Sequence, residues 1–263
     1  MSRINQAFES GKAFIAFLTC GDPDLETTER LVRTIAEAGA DVIELGIPFS
    51  DPVAEGPVIQ EASARALAHG ATTDKILAMV KRLRAQLDTP LVFMTYANIV
   101  FSYGTERFIR ASAEAGIDGL ILPDVPFEER EEFAPLCETH GLDFIPLVTL
   151  ASQDRIAKIA EQASGFVYCV SSLGVTGERE QLDAGVCELV GRVRENTSVP
   201  AAVGFGISTP GQAAQMAALS DGVIVGSAIV RLVEQHGREA EPYVYSYVKS
   251  MKDAMRALSA QRR

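Results

Sequence analysis

Two glutamates, Glu44 and Glu55, stand at positions suited to acid–base chemistry. Glu44 lies in the short apolar run 42–46, and Glu55 follows in a loop rich in glycine and proline. A carboxylate at the end of an apolar strand costs free energy unless it is solvated or paired, and burial can tune its pKa for general acid or base catalysis. A salt bridge for Glu44 and a solvated loop position for Glu55 stay open as alternatives. Our hypothesis is that both carboxyl groups face one substrate.

Three glycine-containing loops in the later part of the chain are typical of an anion site. They are Gly174-Val175-Thr176-Gly177, Gly204-Phe205-Gly206-Ile207-Ser208 and Gly226-Ser227. Glycine lets backbone N–H groups approach an anion, and Ser227 stands at the start of a predicted helix, where the helix dipole favours negative charge. One such loop alone would indicate only a tight turn, whereas three together favour a phosphate site. The second loop lacks the third glycine of a dinucleotide-binding fingerprint.

Aromatic residues and Asp124 also come at the ends of predicted strands, and a further acid, Asp51, stands in the loop before Glu55. The aromatic residues are Phe17, Tyr96, Tyr168 and Phe205. Core packing is their ordinary role, but beside two acids and a phosphate site they would wall a pocket for a flat ring. Asp51 suits a loop brace or a surface contact, and Asp124 suits helix capping, loop bracing or a substrate contact. The three histidines fall on or just after predicted helices, and we assign them no catalytic role.

Apolar runs and helical patterns alternate along the chain. Eight short strands are predicted at 13–19, 42–46, 91–95, 119–122, 143–148, 166–170, 201–204 and 222–225. Each is followed by a helical pattern, including 58–68, 73–86, 105–115, 128–140, 153–162, 182–196, 210–218 and 228–235, with extra helices at 4–9 and 242–260. Strict alternation implies a parallel sheet covered by helices. Eight repeats without a break predict a (β/α)8 TIM barrel as one domain over 1–263, rather than a doubly wound sheet.

Composition narrows the class of protein. The chain has 263 residues, 47% of them hydrophobic, and a barrel of this type needs roughly 250 residues. The formal charge of −11 argues against nucleic acid or an anionic membrane surface as the main partner. The four cysteines form no CxxC pair and no zinc-ligand spacing appears, so we expect reduced core cysteines, no metal site and a cytoplasmic location. No signal peptide or membrane span is predicted.

The residues alone thus predict a barrel enzyme that binds a phosphorylated small molecule and uses carboxylate chemistry. Beyond that, the chain resembles the tryptophan synthase alpha subunit family along nearly its whole length. The motifs that carry the resemblance are 44–57 (ELGIPFSDPVAEGP), 94–98 (MTYAN), 123–126 (PDVP), 174–177 (GVTG), 204–208 (GFGIS) and 226–230 (GSAIV). The first of these is the longest and the most specific.

The resemblance implies a reaction and roles for the residues. The reaction is the retro-aldol cleavage of indole-3-glycerol phosphate to indole and glyceraldehyde 3-phosphate. Glu44 would protonate indole C3 and then accept the proton of the glycerol hydroxyl, while Glu55 would stabilise the ring N–H. Gly177, Phe205, Gly206, Gly226 and Ser227 match phosphate-site positions. Phe17, Tyr96 and Tyr168 match positions of the indole pocket, and Thr176 belongs to a loop that closes over the substrate and braces the second carboxylate.

The resemblance also implies a partner, and the chain departs from the family in two places. The family works with a pyridoxal-phosphate-dependent β subunit in an α2β2 heterotetramer, and the α chain itself has no cofactor. Residues near Pro48 and Asp51, with the loop around Asn98, would face that subunit. Glu55 stands where Asp is common, and 149–152 lacks an expected Pro-Thr. A weakly active module that activates the β subunit, and a stand-alone lyase that releases indole, are the alternatives.

Overall fold

Parallel strands and helices alternate through the structure, a computed structural model that describes residues 2–152, 154–170, 179–204 and 206–261. The strands are β1 (Ala13–Thr19), β2 (Val42–Gly46), β3 (Leu91–Met94), β4 (Gly119–Ile121), β5 (Asp143–Phe144), β6 (Leu147–Val148), β7 (Val167–Val170), β8 (Ala201–Gly204) and β9 (Gly222–Val225). The helices are α1 (Arg3–Glu9), α2 (Leu25–Glu37), α3 (Pro57–Ala68), α4 (Thr73–Arg84), α5 (Ala97–Tyr103), α6 (Thr105–Ala115), α7 (Ala134–Thr139), α8 (Arg155–Glu161), α9 (Arg179–Arg194), α10 (Pro210–Leu219), α11 (Ser227–His236) and α12 (Glu241–Gln261). Short 3₁₀ segments span Phe127–Glu132, Leu150–Ser152 and Gly237–Glu239.

The strands form one curled parallel sheet in the order β5-β4-β3-β2-β1-β9-β8-β7-β6. β1 pairs with β2 on one side and with β9 on the other, so the two ends of the alternating pattern meet. The sheet's two end strands, β5 and β6, are consecutive pieces of one extended segment. Ile145 N–H donates to the Leu120 carbonyl, and Tyr168 N–H donates to the Pro146 carbonyl, so this segment joins both halves. The predicted (β/α)8 barrel is confirmed, and a doubly wound sheet is excluded.

The fifth predicted strand is the one that differs. The sequence predicts a continuous strand at 143–148, whereas the structure divides it into β5 and β6. Pro146 lies between them and lacks the N–H that a ladder needs. The segment therefore changes partner at this point, from β4 before the proline to β7 after it.

Alternation along each strand separates two cores. Outward-facing residues of the strands pack against the helices in the larger cluster. Inward-facing residues form a second cluster inside the barrel, closed below by Ile4 of α1; they are Ile15, Val42, Val92, Ile121, Ile145, Phe166, Tyr168, Ala202 and Ile224. Because side chains repeat their direction every second residue in a strand, the next inward positions toward the carboxyl ends include Phe17, Glu44 and Met94. The barrel interior thus carries Glu44 directly above a layer of apolar side chains.

Two helical regions differ from the sequence prediction. Helix α5 was not predicted; its first N–H, on Ala97, donates to both carboxylate oxygens of Asp124 at 3.1 Å. The single helix predicted at 128–140 is wrong, since the structure has a 3₁₀ segment followed by α7. Pro135 explains the break, because proline is tolerated only in the first turn of a helix.

The last helix is anchored to the first strands by a buried ion pair. Lys252 of α12 is 4% exposed and pairs with Asp41. The same carboxylate accepts the N–H of Phe14 in β1 at 2.6 Å, and Lys252 Nζ also donates to the Lys12 carbonyl at 3.0 Å. A buried ammonium without such partners would be strongly unfavourable. Helix α12 is therefore fixed against the amino-terminal end of the barrel.

Among the helices of the described residues, none combines the length and the apolar character needed to cross a membrane.

Candidate active site

A cavity of about 410 Å³ opens at the carboxyl ends of the strands. Loops that follow parallel strands form the active face in barrels of this type. The lining residues come from both halves of the chain: Phe17, Glu44, Ala54, Glu55, Gly56, Pro57, Val58, Ile59, Met94, Tyr168, Gly206, Ile207, Ser208, Ile224, Gly226, Ser227, Ala228 and Arg231. The structure therefore brings both predicted acids together with two predicted aromatic residues and two of the predicted glycine loops.

Glu44 is the most deeply buried acid of this cavity. Its side chain is 1% exposed, and Oε2 has no hydrogen-bond partner in the described part of the chain. Burial, and then the nearby carboxylate of Glu55, raises the pKa of Glu44 from 4.5 to about 8. A carboxyl group with such a pKa holds its proton near neutral pH and can donate it. The salt bridge considered as an alternative for Glu44 is not observed among the described residues.

Glu55 enters the cavity from the loop that precedes α3. It is half-buried, and burial raises the pKa of its carboxyl from 4.5 to about 7. Two contacts hold the loop: Gln60 Nε2 donates to the Glu55 carbonyl at 2.8 Å, and the N–H of Ala54 donates to the Tyr96 hydroxyl at 3.2 Å. Glu55 is therefore held in place by its backbone, while its carboxyl faces the same cavity as Glu44.

Phe17 and Tyr168 form aromatic walls, and glycines make room for their rings. A Cβ on Gly46 would lie 2.6 Å from the Phe17 ring, and a Cβ on Gly204 would lie 2.6 Å from the Tyr168 hydroxyl. Real Cβ atoms do not approach other atoms this closely, so glycine is required at both strand ends. Burial, and then the charge of Glu44, raises the pKa of Tyr168 well above its usual value. Tyr168 thus stays a neutral hydroxyl beside Glu44.

Tyr96 has a different position from the other two aromatic residues. It is 2% exposed, packs against Phe49 with ring centroids 5.1 Å apart and tilted planes, and is absent from the cavity lining. Its hydroxyl contacts the backbone of the loop that carries Glu55. The observed contact of Tyr96 is therefore a brace for that loop.

Part of the cavity lining, at the start of α11, is suited to an anion. Gly226 immediately precedes α11, whose first residue is Ser227, and both residues line the cavity. The first N–H groups of a helix have no partner within the helix, and its dipole favours negative charge there. Gly206 also lines the cavity with a φ of 74°, a conformation that favours glycine. One cavity thus combines groups suited to an anion with acidic and aromatic side chains.

Several predicted residues are not part of this geometry. Thr176, Gly177 and Phe205 lie outside the described residues. Asp124 is not among the residues that line this cavity and braces the first turn of α5 instead. Asp51 is exposed and accepts the Ser50 hydroxyl.

The structure also gives the positions of the cysteines and of potential metal ligands among the described residues. Three cysteines are buried as expected, whereas Cys187 is exposed, contrary to the prediction of core positions. Across 2–152, 154–170, 179–204 and 206–261, no group of three or more His, Cys, Asp or Glu side chains is arranged to hold a metal ion.

Sequence reasoning missed Met94 and Arg231 as lining residues. The signal for Met94 was the strand alternation itself, because it stands two residues after the interior Val92. The signal for Arg231 was its spacing, since it lies one helical turn after Ser227 on α11.

Together these groups can deliver and recover a proton on a flat ring while an attached anion is held at the start of α11. A family model described as tryptophan synthase alpha chain matches residues 4–258. A tryptophan synthase alpha chain of Lacticaseibacillus casei is 48% identical over 257 residues, covering 98% of this chain and 97% of the relative.

Solved structures of this family superpose on the chain over nearly its whole length. Tryptophan synthase subunit alpha of Legionella pneumophila superposes with a TM-score of 0.89 at 36% identity, covering 98% of this chain and 99% of that one. A chain of the tryptophan synthase α2β2 complex of Pyrococcus furiosus superposes with a TM-score of 0.85 at 34% identity, covering 92% and 99%. These matches extend over nearly the whole chain at 34–48% identity. The chain therefore belongs to the tryptophan synthase alpha chain family.

Proposed function

We propose that this chain is a lyase that cleaves indole-3-glycerol phosphate to indole and glyceraldehyde 3-phosphate in tryptophan biosynthesis. Family membership supports the reaction. The observation that carries it is the buried carboxyl of Glu44, whose Oε2 has no protein partner among the described residues and which lines one cavity with Glu55. Buried polar groups are mostly hydrogen-bonded, and among the unpaired ones of the described residues Glu44 is the one that lines this cavity. The free oxygen is available to a substrate.

Glu44 and Glu55 divide the proton chemistry. Glu44 donates its proton to indole C3, which breaks the ring's aromatic conjugation and places positive charge at the ring nitrogen. The carboxylate of Glu55 stabilises that charge through the ring N–H. The bond between C3 and the glycerol carbon then breaks as the adjacent hydroxyl loses its proton to the Glu44 carboxylate. The electrons of that bond restore the indole, the hydroxyl becomes the aldehyde, and Glu44 is ready for another turnover.

The remaining cavity residues bind the two ends of the substrate. Phe17 and Tyr168 wall the indole site, and both are nearly buried. Gly206, Gly226 and Ser227 receive the phosphate, because helix N-termini and glycine-rich loops bind such anions through backbone N–H groups. The family resemblance adds Tyr96 to the indole site, Gly177 and Phe205 to the phosphate site, and Thr176 to the closing loop.

The proposed partner is a pyridoxal-phosphate-dependent β subunit in an α2β2 assembly. The Pyrococcus furiosus relative belongs to such a complex. On this chain, a depression of about 400 Å³ includes Pro48, Phe49 and Asn98, and the neighbouring Val53 is 80% exposed. These residues lie in the region that the family resemblance assigns to contacts with the β subunit. We further propose that residues 1–263 act as one barrel domain in the cytoplasm.

The proposal is tested by measuring indole release from indole-3-glycerol phosphate with and without the β subunit. Wild type should release indole, and Glu44→Gln should lower kcat by about 10²- to 10⁴-fold, the usual effect of losing a general acid. Glu61→Gln, on the exposed face of α3, is the matched control and should keep full activity. Absence of release by wild type under both conditions would refute the lyase function. A gain in β-subunit activity without indole release would favour the activator module instead.

A further inference from the structure

Arg231 is the basic side chain that this cavity presents to its ligand. Among the described lining residues it is the sole Arg, Lys or His, and the acids Glu44 and Glu55 line the same cavity. The chain as a whole carries a formal charge of −11. A phosphate entering this cavity is therefore repelled by the Glu55 carboxylate and by the net negative charge of the chain, and a cation lining the cavity would offset this repulsion.

The position of Arg231 on α11 directs it toward the start of that helix. Ser227 and Arg231 are four residues apart, so they lie on the same face of the helix. Long side chains in a helix point back toward its N-terminus and cover the preceding turn. We therefore expect the guanidinium to lie over the turn that begins with Ser227, at the N-terminus of α11.

Arg231 also makes no contact that would give its guanidinium a structural role in the described part of the chain. It is exposed and has no hydrogen-bond or ion-pair partner within the described part of the chain. The nearest acid on its own helix, Glu234, pairs instead with Arg65 Nη1 at 3.1 Å. Arg65 in turn holds the buried Asp22 at 2.8 Å. Arg65 thus pairs with Glu234 and Asp22, and the Arg231 guanidinium has no ion-pair partner among the described residues.

We infer that Arg231 is a phosphate-binding residue that recognises the dianionic end of the substrate. It adds a charged side chain to the neutral N–H donors of the glycine loops. This inference rests on the proposed function, because it assigns the phosphate to the α11 end of the cavity. Arg231 acts on binding and takes no part in the proton transfers at the ring, so its removal should affect KM far more than kcat.

The test compares Arg231→Gln, Arg231→Lys and the control Arg110→Gln. Arg110 is an exposed arginine of α6 that does not line the cavity, and its substitution removes the same charge from the chain. Arg231→Gln should raise KM for indole-3-glycerol phosphate three- to tenfold, in the range of a partly exposed charged contact. Arg231→Lys should recover most of this loss, and Arg110→Gln should match wild type.

Inhibition constants separate a phosphate contact from a general change of the cavity. Glycerol 3-phosphate should bind Arg231→Gln more weakly by the same factor as the substrate, whereas indole, which carries no charge, should bind both proteins equally. An unchanged KM, or an equal loss for indole, would overturn the inference while leaving the lyase function intact. If wild type fails to cleave the substrate, it is the proposed function that fails.

Discussion

Replacing Glu44 by glutamine should make the fold more stable relative to wild type as pH rises, while kcat falls by about 10²- to 10⁴-fold. In the unfolded chain this carboxyl ionises with a pKa near 4.5, but in the folded protein its pKa is about 8. Between these values the unfolded state loses its proton while the folded state keeps it. Stability therefore falls as pH rises from about 4.5 to about 8, and the cost is absent at lower pH. Glutamine has nearly the same shape and does not ionise, so the variant lacks this dependence.

The size of the effect follows from the pKa difference. Each pKa unit corresponds to about 1.4 kcal/mol, so the penalty grows by about 3 kcal/mol between pH 5 and pH 8. For a chain of this size that corresponds to roughly 6–12 °C in Tm. Glu44→Gln should thus gain stability over wild type as pH rises, whatever their difference at pH 5.

Urea unfolding and calorimetry at pH 5 and pH 8 measure this gain. Comparing variant with wild type at each pH cancels the other titrating groups. Glu61→Gln serves as the control, because its carboxyl is exposed and its profile should run parallel to that of wild type. If the Glu44→Gln and wild-type profiles are also parallel, Glu44 is not held protonated by its surroundings, and the assignment of it as proton donor loses its basis.

Substitutions at three further positions test the packing of the barrel and the role of Glu55. Gly204→Ala should cost about 1–3 kcal/mol in urea unfolding, because its Cβ would lie 2.6 Å from the Tyr168 hydroxyl; Gly191→Ala, where a Cβ meets nothing within 4 Å, is the control, and equal stability of the two would contradict the packing argument. Asp41→Asn should cost about 3–5 kcal/mol by leaving the buried lysine of α12 without its carboxylate, and an unchanged unfolding midpoint would show that this ion pair does not anchor the helix. Glu55→Gln should lower kcat about 10²-fold while Glu55→Asp stays within about tenfold of wild type, and an equal loss in both would contradict the view that the charge of Glu55 is its main contribution.

Strand positions could be predicted where local sequence decides them. β1 and β2 begin and end as expected, because each is a buried apolar run followed by a turn or a glycine. Pro146 signalled the division between β5 and β6, but which neighbours those pieces would choose depends on the curvature of the whole sheet. Helix α5 was not predicted from the sequence for a similar reason, because the carboxylate that caps it belongs to Asp124, 27 residues away.

The residues of the candidate site were likewise predictable only where local sequence decides their position. Glu44 was predictable because strand alternation places it inside the barrel. Its raised pKa was not, since that depends on the number of partners around the carboxyl in the folded chain. Tyr96 stands at a strand end as expected, yet its side chain turns to the loop that carries Glu55. Spacing alone predicts which elements meet at the cavity, and packing decides which atom of each residue faces it.

The pairing of β1 with β9 has a consequence for how the chain is made. A ribosome releases β1 early, and β2 soon covers one of its edges. The other edge of β1 stays unpaired until β9 has been synthesised. The Lys12 carbonyl likewise lacks its donor, Lys252, which lies 240 residues further along the chain. Until then the nascent chain presents an apolar parallel strand with unpaired backbone groups, the kind of surface on which chains aggregate. Synthesis of this protein therefore has a long vulnerable interval that ends only when the final strand and helix emerge.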